Sequence, residues 1–230
     1  NETLHSTNQR LARANQLKQD MTDMLIHDLK NPLNIVVNLG EKRLVKSAGH
    51  TMNNLVMNML DVNKYEEDKL NPQLAECNLN GLISGAVEQV QLFLEKKGLA
   101  LQNEIPDDVY VHVDDKLITR VFVNLLTNAI KHSRENMPVV LSNGKQIHKN
   151  GNSFIEISVT DYGTGISEEY KNKIFDRYFG DNQNSQQLTG TGLGLAFCKM
   201  AVEIHNGTIG VESELEKYTR FYFTLPMNHN

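Results

Sequence analysis

From Met21 to Val62 the apolar side chains recur with helical spacing and on one side only, which commits this part of the chain to helix and dictates how it must be buried. At about 100° per residue, Met24, Leu25, Leu29, Leu33, Ile35, Val36 and Leu39 form one broad stripe. Met52, Leu55, Val56, Met59, Leu60 and Val62 form a second, and Gly40 and Ser47-Ala48-Gly49 offer the turn between them. Met52, Met57 and Met59 read as core filler. Two helices laid together cannot cover both faces. The expected solution is an antiparallel hairpin doubled by a two-fold axis into a four-helix bundle. Upstream, Leu4, Leu11, Ala14 and Leu17 space as a heptad seam that leads into the first helix.

On the same projection His27 falls opposite the apolar stripe, with Asn31, Asn34 and Asn38, so its imidazole is expected to face solvent. With an ordinary pKa near ~6.5, one ring nitrogen keeps a lone pair at neutral pH and can act as a nucleophile. Asp28 can accept a hydrogen bond from the other nitrogen, fixing the tautomer and raising basicity. Read alone, the pair is weak evidence, because a His-Asp dipeptide is far more often a solvated histidine beside a surface acid. Pro32 removes the bond to the Asp28 carbonyl and is expected to bend the helix one turn beyond His27.

With 230 residues, 40% of them hydrophobic and 22% charged, the chain has the composition of a soluble globular protein. A net charge of −5 supplies no basic field, so nucleic acid is not an expected partner. Cys77 and Cys198 lie far apart without metal-ligand spacing and read as small core residues of a reducing, cytoplasmic setting. No apolar stretch approaches the ~20 residues of a membrane span. Asn1 is not Met, so the chain is expected to be an excised piece with a sensor domain upstream, touching a membrane only if the whole protein carries an anchor there.

Asn71-Pro72 ends the helical part, and the pattern beyond it is mixed. Helices are expected over 79–96, 115–132 and 193–203, and strands over 109–113, 139–141, 154–160, 208–212 and 220–225, with 142–153 as an extended hairpin. This is an α+β sandwich with helices on one sheet face. In the helix 115–132, Asn124, Asn128 and Lys131 form a polar stripe opposite the buried face. Amide oxygens suit a hard divalent cation and a lysine suits phosphate oxygens.

The strand 154–160 runs into Asp161-Tyr162-Gly163-Thr164-Gly165, where an exposed carboxylate could accept from an exocyclic amine and glycines permit close backbone approach. Gly190-Thr191-Gly192-Leu193-Gly194-Leu195 is a glycine-rich turn opening a helix, whose free N–H groups favour phosphate. It lacks the Gly-Lys-Ser/Thr of a Walker loop. Between the two, Phe175-Asp176-Arg177-Tyr178-Phe179 and the polar segment 180–189 read as an aromatic-anchored lid.

The ordered set His27 to Leu33, Asn124 to Lys131, Asp161 to Gly165, Phe175 to Phe179 and Gly190 to Leu195 resembles the cytoplasmic kinase core of two-component sensor histidine kinases, over nearly the whole chain from about residue 20. The resemblance implies a signalling helix over 1–20, a dimerisation and phosphotransfer domain over 21–70, and an ATP-binding domain of the gyrase/histidine-kinase type over 71–230. It implies His27 as phosphoacceptor, Asp28 as its acid/base partner, and Asn128 as magnesium ligand with Asn124 in support. Lys131 would meet phosphate, His132 would stack on adenine, and Asp161, with Gly163 and Gly165, would read the base. Gly190, Thr191, Gly192, Leu193 and Gly194 would form the phosphate-facing hinge of the lid, and Arg177 would assist the transferring phosphoryl group. ATP and Mg2+ are the implied cofactors. A homodimer and a response-regulator receiver domain are the implied partners. Asp28 stands where the family often has glutamate and Asn31 where it often has threonine, a position that orients water in receiver dephosphorylation.

Two other readings stay open at this point. One is an ATPase of the same superfamily without phosphohistidine, although Asn124 occupies the place of its usual glutamate base. The other is a dimeric scaffold that binds nucleotide without catalysis. Whether phosphorylation runs within a subunit or across the dimer is also open.

Overall fold

The computed structural model describes residues 29, 33, 42–66, 68–149, 151–177, 179 and 192–227. The expectations for the heptad seam, His27, Asp28, Asn31, Pro32, Gly190 and Thr191 lie outside the described residues. Leu29 and Leu33 are helical, and Leu33 is 51% exposed.

Helix α1 spans Lys42–Glu66. After it come β1 (Ala75–Asn78), α2 (Leu79–Lys97), β2 (Leu101–Asn103), β3 (Tyr110–Val113) and α3 (Asp115–His132). The remainder is β4 (Val139–Lys149), β5 (Asn152–Asp161), α4 (Glu168–Lys171), α5 (Leu193–Ile204), β6 (Ile209–Glu214) and β7 (Tyr218–Pro226). The five-stranded sheet runs β2-β4-β5-β7-β6, with β2 parallel to β4 and every other pair antiparallel. Strands β1 and β3 form a separate antiparallel pair.

Alternation along β5 and β7 builds the layer. Ile155, Ile157 and Val159 alternate toward the helices, and Phe223, opposite Ile157, meets Phe122 of α3 edge-on at 5.5 Å. Leu117, Ile118, Val121, Phe122, Leu125, Leu126, Ala129 and Ile130 give α3 the buried face its periodicity predicts. The expected hairpin over 142–153 is present as the long β4–β5 ladder, with a register shift between Asn143 and Gln146. β1, β2 and α4 escape the sequence reading because three or four residues with polar members carry no period.

Helix α1 departs from the expected single apolar face. Val62 is buried, but so are Asn58 and Asp61, while Val56 and Leu60 remain 43% and 45% exposed. Asn58 and Asp61 bond to α3 and Val62 packs into the core, while Val56 and Leu60 stay exposed.

Candidate functional site

Helix α3 carries most of the site, and both its ends are fastened. At its start Asp114 Oδ1 accepts from the N–H groups of Lys116 and Leu117, and Oδ2 from that of Gln73 at 2.8 Å. The Asp114 N–H donates to His205 Nε2 at 2.9 Å, and His205 Nδ1 lies 2.6 Å from the Ala201 carbonyl. Nε2 accepts, so Nδ1 carries the proton and the ring is neutral; burial lowers its pKa to match. At the far end of α3, Lys97 Nζ donates to the carbonyls of Ile130 and Lys131, at 2.6 and 2.8 Å.

The polar stripe emerges as its spacing predicts, with Asn128 half-buried and Lys131 exposed. Asn124 is the exception. Instead of facing solvent it is half-buried beneath α1, its Oδ1 accepting from Asn58 Nδ2 at 3.1 Å. Beside it, Arg120 donates to Asn58 and to Asp61 and lies over the Phe197 ring. The sequence reading missed Asn58, Asp61 and Arg120. Their signal is the pairing of Asn58 and Asp61 three residues apart on the side of α1 away from Val56 and Leu60.

Asp161 corrects another expectation. It is not an exposed carboxylate but 2% exposed, because it continues the inward alternation of Ile155, Ile157 and Val159 and ends beneath the last turn of α3. Burial pushes its carboxyl up to about 7, against the Gly163 N–H and the Lys97 ammonium, which favour the ionised form. One oxygen, Oδ1, is buried without a hydrogen-bond partner, as is the neighbouring hydroxyl of Ser133, a residue bridged to Gly163. Burial, with Lys131 and Lys97 close by, lowers His132 to about 4 and keeps it neutral.

The glycines serve the walls of the site. A Cβ on Gly163 would stand 2.0 Å from the His132 carbonyl oxygen, and one on Gly165 2.3 Å from that of Glu214. Gly192 caps α5 with φ of 60°, a left-handed conformation that suits glycine. Leu193 is buried behind it, and Gly194 faces the Asn124 amide. The N-terminus of α5 thus meets the middle of α3, while Asp161 lies under the C-terminal end of α3. Arg177 reaches α1, donating to the Val62 carbonyl at 3.4 Å. Among the described residues no group of three or more His, Cys, Asp and Glu is placed to hold a metal.

A sheet covered on one face by helices, with an amide-bearing helix between a buried carboxylate and a glycine-started helix, defines a nucleotide-binding ATPase fold. The family model described as histidine kinase-, DNA gyrase B- and HSP90-like ATPase matches residues 113–229, and the chain belongs to that family. An adaptive-response sensory kinase, SasA of Crocosphaera subtropica, is 32% identical over 234 residues, covering 92% of this chain and 60% of the relative. The chain thus spans about three fifths of that relative's length. The catalytic domain of histidine kinase ThkA superimposes with a TM-score of 0.57 at 29% identity, over 67% of this chain and 98% of that one. Acinetobacter baumannii histidine kinase AdeS shares the fold, with a TM-score of 0.62 at 18% identity over 90% of this chain and 98% of its own.

Proposed function

We propose that the chain is the kinase core of a sensor histidine kinase, which moves the γ-phosphoryl group of ATP onto His27 and then onto an aspartate of a response-regulator receiver domain. The observation that carries this reading is the buried Asp161 carboxylate, with one oxygen unpartnered, at the end of the stripe formed by Asn124, Asn128 and Lys131. An unpartnered buried acceptor suits the exocyclic amine of adenine. The stripe then leads from the base toward the start of α5, the span a triphosphate must cover.

Residues divide the work as follows. Asp161 reads the base beside neutral His132, with Gly163 and Gly165 letting the backbone close on it. Lys131 and the N–H groups from Gly190 through Gly194, Thr191 and Leu193 included, offset phosphate charge. Asn128, supported by Asn124, would hold Mg2+, which would supply positive charge to offset that of the transferring phosphates. His27 Nε2 attacks the γ-phosphorus, the bond from that phosphorus to the β–γ bridging oxygen breaks, and ADP leaves. Asp28 holds the proton on the other imidazole nitrogen. Arg177 stabilises the group in transfer, and Asn31 orients water for dephosphorylation of the receiver. The amide at Asn124 favours transfer over hydrolysis, since no carboxylate there can activate water.

Residues 1–20 serve as signalling helix, 21–70 as dimerisation and phosphotransfer domain, and 71–230 as ATP-binding domain. The exposed Val56 and Leu60 support a homodimer through the helical hairpin. No described helix is long and apolar enough to cross a membrane. The proposed setting is cytoplasmic. Incubation with γ-labelled ATP and Mg2+ is expected to give an acid-labile, base-stable label on the chain. Retention of that label in His27→Gln would refute the assignment.

A further inference from the structure

Three elements meet at the Asn124 amide. Its Oδ1 accepts from Asn58 of α1 at 3.1 Å and lies 3.3 Å from where a Cβ on Gly194 of α5 would stand. Its Nδ2 is buried and turned to the Cys198 thiol, a weak acceptor. An amide turned over occupies nearly the same volume, so its neighbours must decide which end faces which way.

Arg120 decides it. A guanidinium can only donate, and Arg120 offers Nε and Nη2 to Asn58 Oδ1 at 3.2 and 2.7 Å while Nη1 donates to Asp61 Oδ2 at 2.6 Å. Asn58 must therefore turn its oxygen to Arg120 and its NH2 to Asn124, and Asn124 must answer with its own oxygen. The guanidinium is itself held in place, 4.2 Å above the Phe197 ring, with the side chains of Arg120 and Asp61 only 12% and 8% exposed.

We propose that Asn58 and Arg120 are positioning residues that set the Asn124 amide as an acceptor, so that docking of helix α1 governs how the nucleotide site responds to a divalent cation. This rests on the reading of Asn124 as support for Mg2+. An amide oxygen has two lone pairs, and the bond from Asn58 leaves one for the cation or a water it carries. A reversed amide would present N–H groups, which repel a cation. When α1 leaves, Asn58 leaves with it and the amide is released to turn. The coupling is reciprocal, so binding of the Mg2+–nucleotide favours the docked α1.

Two variants of the 230-residue chain separate amide polarity from simple contact. Asn58→Asp keeps the size and the bonds from Arg120 but offers Asn124 a second acceptor, forcing its amide to reverse. Asn58→Ala leaves the amide unguided. The measurement is binding of a fluorescent ATP analogue, first in EDTA and then with Mg2+ titrated. The half-maximal Mg2+ concentration is expected to rise about tenfold in Asn58→Asp, and by less in Asn58→Ala, while binding in EDTA is unchanged. An unchanged Mg2+ response in either variant overturns the proposal, and so does a larger effect in Asn58→Ala than in Asn58→Asp. If the unmutated chain fails to bind the analogue at all, the nucleotide reading falls and the proposal falls with it.

Discussion

Asp161 owes both its burial and its chemistry to its place in one strand. The alternation that sends Ile157 and Val159 into the core sends Asp161 there as well, where the chain leaving β5 passes the end of α3. Its pKa of about 7 means that the folded chain holds this proton more tightly than the unfolded chain does. The group therefore stabilises the fold below the ordinary carboxylate value of 3.8, and that contribution is lost as pH rises toward 7. A nucleotide that donates an N–H to Asp161 needs the ionised form. Affinity for ATP is expected to fall as pH drops through about 7, and Asp161→Asn is expected to bind weakly at every pH without that limb. Isothermal titration calorimetry across pH 5.5 to about 8.5 reads both, and an acid limb that persists in Asp161→Asn would assign it elsewhere. His132, neutral above about 4, adds no limb in this range.

At the scale of elements, α3 works because its two ends are tied to opposite sides of the domain. Asp114 caps its first turn, satisfies Gln73 and is itself held by His205, so Asp114→Ala removes a cap and leaves buried donors unpaired. A loss of roughly 2 kcal/mol is expected, seen as a melting temperature lower by about 4 to 8 °C. An unchanged melting temperature would show that the His205 contact alone secures the helix start. This helix was readable in the sequence because eighteen residues at a strict 3.6 spacing leave no other assignment, and its asparagine stripe came with it. What the spacing could not show was that another helix covers part of that stripe. A polar residue facing solvent and one facing a guanidinium look alike along a sequence, which is why Asn124 read as exposed and Asn58 went unnoticed. Asp161 was misread for a related reason. Strand ends are judged by composition, whereas its burial depends on the helix above it.

Across the whole molecule, helix α1 presents two unlike faces. One side joins Asn58 and Asp61 to the nucleotide helix, and the other leaves Val56 and Leu60 uncovered. The apolar periodicity of α1 was legible, but it joins two roles: Val62 packs into the core, whereas Val56 and Leu60 face outward, toward the proposed second copy. Leu60→Glu, which places a charge on the open side, is expected to shift the chain from dimer to monomer in sedimentation velocity without altering nucleotide binding. A dimer of undiminished strength would move the interface off this face. The central claim joins the two halves of the chain, and peptide mapping by mass spectrometry at neutral pH tests it most directly. After incubation with ATP and Mg2+, the phosphate is expected on His27, and its yield is expected to collapse in Asn128→Asp. Phosphate on any other residue, or full labelling of His27 in that variant, would contradict it.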